Sequence, residues 1–292
     1  MQATDRPLFA SSEIGLDLAL PEREREYSPS SAIGGNYAPY IQAYHDQSQV
    51  ARAQLPAALT LRYGNLPREE LDFFAAPAAA RHAANQAGLL IFIHGGYWQE
   101  LSKDSSHFLA PAWHQAGFAH AVVGYTLAPQ ASIAQIVQAC VQAIEHLRGQ
   151  AGALGFDASR MVVAGSSAGG YLAVACAAHA KLQIRGIVPI SGIFDLRPLV
   201  GTSINDVLSL SMQEASELAA LALCAQAPSV VAWGENETQA FKTQSQLFAA
   251  RLKAQAIPAI SMEIAQRNHF DVVHELGDTQ SPLFQATLSL FN

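Results

Sequence analysis

Short runs of apolar, β-branched and aromatic residues recur along the chain, at Leu71–Phe74, Leu89–Ile93, Ala119–Tyr125, Met161–Ala164, Ile184–Ile190, Val230–Trp233 and Ala259–Ile264. Each has the length of a strand and is flanked by turn-forming or polar residues, so each predicts a β-strand. Between two of them, Ile133, Ile136, Val137, Cys140, Val141, Ile144 and Leu147 step by three and one. That spacing aligns one face of a crossover helix, with Gly149 as its expected stop. Further helices are predicted at about 105–116, 168–180, 239–255 and 280–290. Strands alternating with helices imply an α/β fold, a mainly parallel sheet with helices on both faces. Residues 1–60 and about 195–226 break that rhythm. They are expected to form a small cap, from the N-terminal segment and an insertion, on a single domain spanning residues 1–292.

Composition narrows the function classes. Half of the 292 residues are hydrophobic and 14% are charged, which supports a large core and excludes intrinsic disorder. Seventeen Lys and Arg against 24 Asp and Glu leave a net charge of -7, the wrong sign for a nucleic-acid partner. The dense charge run Glu22–Glu26 alternates in sign and reads as a solvated segment. Cys140, Cys176 and Cys224 form no CxxC pair, and no HExxH occurs among the ten histidines. Neither a disulfide framework nor a metal site is therefore indicated, and His45, His82, His107, His114, His120, His146 and His179 suit surface or core roles. The first residues lack a basic, apolar leader, and no segment reaches the roughly 18 apolar residues of a membrane span. A cytoplasmic protein without a membrane partner is expected, with a homodimer as the assembly to test.

The strongest chemical signal is Met161-Val-Val-Ala-Gly165-Ser166-Ser167-Ala168-Gly169-Gly170, an apolar strand running into Gly-x-Ser-x-Gly and then a helix-forming stretch. In such a nucleophile elbow the turn is so tight that side chains two positions either side of the serine would strike neighbouring backbone. Gly165 and Gly169 meet that demand around Ser167, whereas centring the motif on Ser166 would put Ala164 and Ala168 there. A second strand ends in His94-Gly95-Gly96-Tyr97-Trp98, two glycines where the chain bends closely around something. The amides of Gly96 and Tyr97, with that of Ala168, are the expected oxyanion hole. His94, Gly95 and Trp98 are expected to support this loop, and Tyr97 and Trp98 to wall a pocket.

A serine hydroxyl needs a base, and the base needs a carboxylate. The strand Val230–Trp233 leads into Gly234-Glu235-Asn236-Glu237, and the strand near Ile260–Ile264 leads into His269. Glu237 lies farther along its loop than Glu235 and is preferred, while Asp195 and Asp271 stand as weaker choices. His269 directly follows a strand, whereas His274 falls in a helical pattern. The order serine, acid, histidine is that of α/β-hydrolases.

Together these segments resemble the kynurenine formamidase (arylformamidase) branch of the α/β-hydrolase superfamily, near the hormone-sensitive-lipase-like esterases. His94-Gly-Gly-Tyr-Trp98 looks like its HGGxW motif, Arg25-Glu-Tyr-Ser-Pro-Ser30 like its N-terminal segment, Gly234–Phe241 like its acid loop and Asn268-His269-Phe270 like its histidine loop. Two residues depart from the pattern: Glu237 stands where aspartate is expected, and Ser166 where histidine is common. The resemblance implies an eight-stranded α/β-hydrolase sheet and hydrolysis of N-formylkynurenine through an acyl-serine intermediate, with a small-molecule substrate and no metal or organic cofactor. A general carboxylesterase acting on short-chain or aryl esters is the alternative reading, and a non-catalytic hydrolase-fold binding protein a third.

Overall fold

A computed structural model describes residues 8–81, 87–179 and 182–292. The first seven residues of the expected cap, His82 and the end of the helix expected at 168–180 lie outside the described residues. One sheet holds β1 (Leu59–Arg62), β2 (Glu70–Phe74), β3 (Leu89–Ile93), β4 (Ala119–Val123), β5 (Met161–Ser166), β6 (Gly186–Ile190), β7 (Ser229–Asn236) and β8 (Ala259–Asn268). Their order is β1-β2-β4-β3-β5-β6-β7-β8, with the β1–β2 and β2–β4 pairings antiparallel and the others parallel, so β2 is the strand that runs against the rest. Every residue of β3, β4, β5 and β6 is buried. Such strands are covered on both faces, which is why they read as unbroken apolar runs. Leu89, Ile91 and Ile93 join the core on one side of the sheet, and Leu90 and Phe92 the core on the other. β1 is the strand that the hydrophobic pattern misses, because Leu59-Thr-Leu-Arg62 has no buried residue at an exposed edge.

The crossover helix runs from Ile133 to Leu154, past the expected stop at Gly149. Its start is fixed by a capping box between Ser132 and Gln135, and its predicted face is buried from Ile133 to Leu147. Gly149 has open space where a side chain would be, so it costs the helix only its propensity penalty; the chain stops at Gly155, which turns left-handed at φ 76°. The helix expected at 105–116 is instead two 3₁₀ turns, Lys103–Ser105 and His107–Leu109, followed by a helix at Ala110–Gln115. Pro111 explains the break: it has no N–H to give an upstream carbonyl, and fits only a first helical turn. The expected helices at 168–180, 239–255 and 280–290 appear as Ala168–Ala177, Gln239–Ala254 and Pro282–Ser289. Among the described residues no helix is long and apolar enough to cross a membrane.

The helix Ala38–Gln54 of the N-terminal segment lies beside the C-terminal end of the sheet, where Tyr37, Ile41 and Tyr44 border a cavity. In the insertion, the helix Met212–Ala222 packs on the helix Ala168–Ala177, whose Tyr171 hydroxyl donates to the Leu218 carbonyl at 3.0 Å. Ile204 is the residue of that insertion that reaches the cavity.

His120 on β4 is fully buried, and burial pushes its pKa down to about 3, helped by nearby His107. An unfolded histidine takes a proton near pH 6.5, so between about 6.5 and 3 the folded chain binds fewer protons than the unfolded one. Stability therefore falls as pH falls through that window. His120→Leu is expected to flatten the dependence of unfolding free energy on pH by up to about 1.4 kcal/mol per pH unit. Urea unfolding from pH 7 to 4 measures this, and a slope equal to that of the parent would mean that the folded chain protonates His120 normally.

Candidate active site

β5 ends at Ser166, and Ser167 takes the strained backbone φ 56°, ψ -121° before the helix Ala168–Ala177 begins. A Cβ on Gly165 would lie 2.1 Å from the Gly169 carbonyl oxygen, and one on Gly169 would lie 2.0 Å from that of Ile93. Both glycines are thus sterically required, and the residue they frame is Ser167. Its amide donates to the Ile190 carbonyl at 2.8 Å, tying the elbow to the end of β6. Strain of this kind is maintained only where the surroundings enforce it, as four backbone segments do here.

At the end of β3 the chain turns sharply, with positive φ at Gly96 (90°), Tyr97 (48°) and Trp98 (60°). A Cβ on Gly95 would meet the Ser166 carbonyl oxygen at 2.7 Å and the Ser167 Cβ at 3.2 Å, so this loop lies directly against the elbow. The amides of Gln99 and Glu100 close the turn by donating to the Gly96 carbonyl at 2.8 and 2.9 Å. Among the described residues the amides of Gly96, Tyr97 and Ala168 donate to no acceptor, two of them on the loop that lies against the elbow and one on the residue after Ser167.

His94 is buried, its ring stacks on Tyr125 at 4.2 Å, and its Nδ1 donates to the Gly95 carbonyl at 3.0 Å. Tyr125 in turn donates to the His94 and Gly95 carbonyls at 2.9 and 3.2 Å. Burial pushes the His94 pKa down to about 4, so the imidazole stays neutral. This histidine braces the loop. Tyr97 lines the cavity and donates its hydroxyl to the Tyr27 carbonyl. Trp98 does not share that wall, contrary to expectation: its ring is fully buried and meets Tyr171 edge-on at 5.6 Å. Two successive left-handed residues reverse the chain there, and the larger indole takes the core side.

His269 follows β8, and its Nδ1 donates to Oε2 of Glu237 at 2.9 Å. The other carboxylate oxygen of Glu237 accepts from the Ser191 hydroxyl at 2.6 Å and from the Gly234 amide. Glu237 lies between β7 and the helix Gln239–Ala254. Glu235 is exposed and accepts from the Gln266 amide at 2.8 Å. Asp195 is paired with Arg197 at 2.6 Å, and Asp271 accepts from the Asn268 amide at 2.7 Å to close the histidine turn. His274 packs against Tyr44 and Phe108, with its pKa pushed down to about 4 by burial. The carboxylate and base preferred from sequence are thus brought together, while the rival acids serve other contacts.

Ser167 and His269 open on one cavity of about 240 Å³, whose wall also includes Ser166, His94, Gly95 and Gly96. Among the described residues no hydrogen bond joins the Ser167 hydroxyl to His269, an arrangement common in ligand-free sites whose contacts tighten with substrate. The N-terminal segment clamps the histidine loop from the far side. Phe270 stacks on Tyr37 and Tyr40, each with ring centroids 5.5 Å apart, and its carbonyl accepts from the Tyr44 hydroxyl. Asn268 donates its side-chain amide to the Tyr40 hydroxyl at 2.9 Å. Sequence reasoning misses these tyrosines and Ser191; the one local signal for Ser191 is its place just after the end of β6.

Asp72, Asp104 and His107 form a cluster with the spacing of a cation site. The Lys103 ammonium already sits 3.0 Å from Asp72 and 3.5 Å from Asp104, and His107 is 2.8 Å from Asp72. That internal cation meets the charge of the cluster, and the group fastens the loop after Trp98 to β2.

Comparison with known proteins places this geometry in context. The BD-FAE family model matches residues 72–252. Kynurenine formamidase of Danio rerio is 25% identical, covering 94% of this chain and 95% of its own, and that of Salmo salar is 26% identical, covering 94% and 97%. A solved Silicibacter sp. TM1040 protein, named as a thioesterase candidate, superposes with a TM-score of 0.77 at 29% identity over 90% of this chain and 97% of that one. The metagenomic carboxylesterase EstE1 superposes with a TM-score of 0.67 at 18% identity over 89% and 99%, a likeness of fold. With a family match over well more than half its length, on the sheet and elbow described above, this chain belongs to the BD-FAE family and is an α/β-hydrolase.

Proposed function

We propose that this chain is a serine hydrolase that removes a formyl or similarly small acyl group from an aromatic amine, in the manner of an arylformamidase, with residues 1–292 working as one domain. The observation that carries the reading is the Glu237–His269 pair opening, together with Ser167, onto one cavity walled by aromatic rings. Because Nδ1 of His269 is committed to Glu237, Nε2 is the nitrogen left to take the Ser167 proton. The serine oxygen then attacks the acyl carbon, and the amides of Gly96, Tyr97 and Ala168 receive the negative charge that develops on the carbonyl oxygen. His269 returns its proton to the departing arylamine nitrogen. Water, activated by the same imidazole, hydrolyses the acyl-serine ester and restores the enzyme. Each of these steps uses only side chains and amides of this chain and water. The aromatic walls suit an aryl leaving group, and formamidase relatives aligned over nearly the whole chain favour the amide.

The same machinery attacks esters more easily than amides, so the decisive measurement sets an N-formyl arylamine beside short p-nitrophenyl esters. Turnover of the formamide at kcat/KM of about 10⁴ M⁻¹ s⁻¹ or above is expected. Ester hydrolysis at that level with the formamide left intact would make the chain a carboxylesterase.

A further inference from the structure

The cavity has an unusual charge balance. Of the described residues that line it, Glu100 is the one with a carboxylate, and neither a lysine nor an arginine is among them. Glu100 follows the oxyanion turn and is positioned by it: its amide donates to Gly96, and a Cβ on Gly96 would lie 2.5 Å from its carbonyl oxygen. Its carboxylate accepts from the Tyr37 hydroxyl at 3.4 and 3.5 Å, with no cationic partner among the described residues. Burial, with the Glu100 charge beside it, pushes the Tyr37 pKa up, so this phenol remains a donor. The cations of the surrounding loops are engaged elsewhere. Lys103 is held by Glu70, Asp72 and Asp104, Arg52 by Asp104, and Arg267 by Glu275. Arg68 reaches the same loop by donating to the Leu101 carbonyl.

We propose that this cavity selects aryl substrates whose side arm is cationic or neutral over those whose arm carries a carboxylate, and that Glu100 is the residue that sets this preference. The proposal rests on the arylamide reading above and specifies which arylamides. A substrate carboxylate would enter a space that no lysine or arginine among the described residues lines, close to the Glu100 charge, and desolvating an unpaired carboxylate is costly. An ammonium would find the carboxylate of Glu100, paired with no cation among the described residues, beside the aromatic ring of Tyr37. N-formylkynurenine carries both groups, so the ammonium gains what the carboxylate loses, and removing the carboxylate should improve the substrate.

The test compares kcat/KM for N-formylkynurenine with that for its decarboxylated amine, which keeps the ammonium and the formanilide core. The amine is expected to be preferred about fivefold or more, near the upper value of an exposed ion pair, and the gap should shrink in high salt. Glu100→Gln should erase the preference, mainly through KM, and Glu100→Lys should reverse it. Phenyl acetates bearing an aminomethyl or a carboxymethyl arm provide the same comparison without a formamide. If the acetates follow this order while the formamides are not cleaved, charge selection stands and the formamidase reading fails. If the formamides are cleaved and Glu100→Lys leaves their order unchanged, the proposal is overturned.

Discussion

Ser167→Ala is expected to lower kcat on any acyl substrate by several orders of magnitude, up to about 10⁶-fold, as for removal of a nucleophile from a complete triad. The expected size of the loss follows from the proposed role of the atom removed: without Oγ no acyl-enzyme would form, and the remaining amides and His269 could only assist direct attack by water. Stability should barely change. The Ser167 hydroxyl makes no hydrogen bond among the described residues, its Cβ is retained, and the strained backbone at φ 56° is enforced by Gly165, Gly169 and the bond from its amide to Ile190. Circular dichroism, melting temperature and kcat should therefore separate cleanly, with the first two close to the parent. A fluorophosphonate should label the parent on Ser167 and leave the variant unlabelled. Labelling that persists would move the nucleophile to Ser166, which borders the same cavity.

How much of this was legible beforehand depends on how local the determining physics is. The elbow was readable because Gly165 and Gly169 answer a steric demand within five residues of chain, and the central strands because burial on both faces leaves unbroken apolar runs. β1 was not readable, since its residues are exposed and it exists through pairing with β2. Trp98 was misplaced because only the backbone turn decides which of two adjacent aromatic rings faces the cavity. The tyrosine clamp on Phe270 joins residues more than 200 positions apart, as in the bond from Tyr44, and nothing around those tyrosines in the sequence points to the histidine loop. The choice of Glu237 over Glu235 lay between these cases: loop length favoured it, but the donors that fix it, Ser191 and the Gly234 amide, come from two different strand ends.

Those donors make Glu237→Gln the second variant with a large expected effect, a loss of about 10⁴-fold in kcat with little change in KM. In the parent, one oxygen of Glu237 accepts from Ser191 and Gly234 while the other accepts from Nδ1 of His269. A glutamine can keep its oxygen toward the two fixed donors only by turning its NH₂ toward the imidazole. Nδ1 must then become an acceptor, which moves the ring proton to Nε2, the nitrogen that has to take the proton from Ser167. The ring would be held in place but in the wrong tautomer, so geometry survives and catalysis does not. Glu235→Gln is the contrast, because among the described residues its carboxylate meets only the exposed Gln266 amide, and kcat should stay near that of the parent. If Glu237→Gln lost less than tenfold while Glu235→Gln lost far more, the orienting carboxylate would be Glu235, and the contact between Glu237 and His269 would be structural.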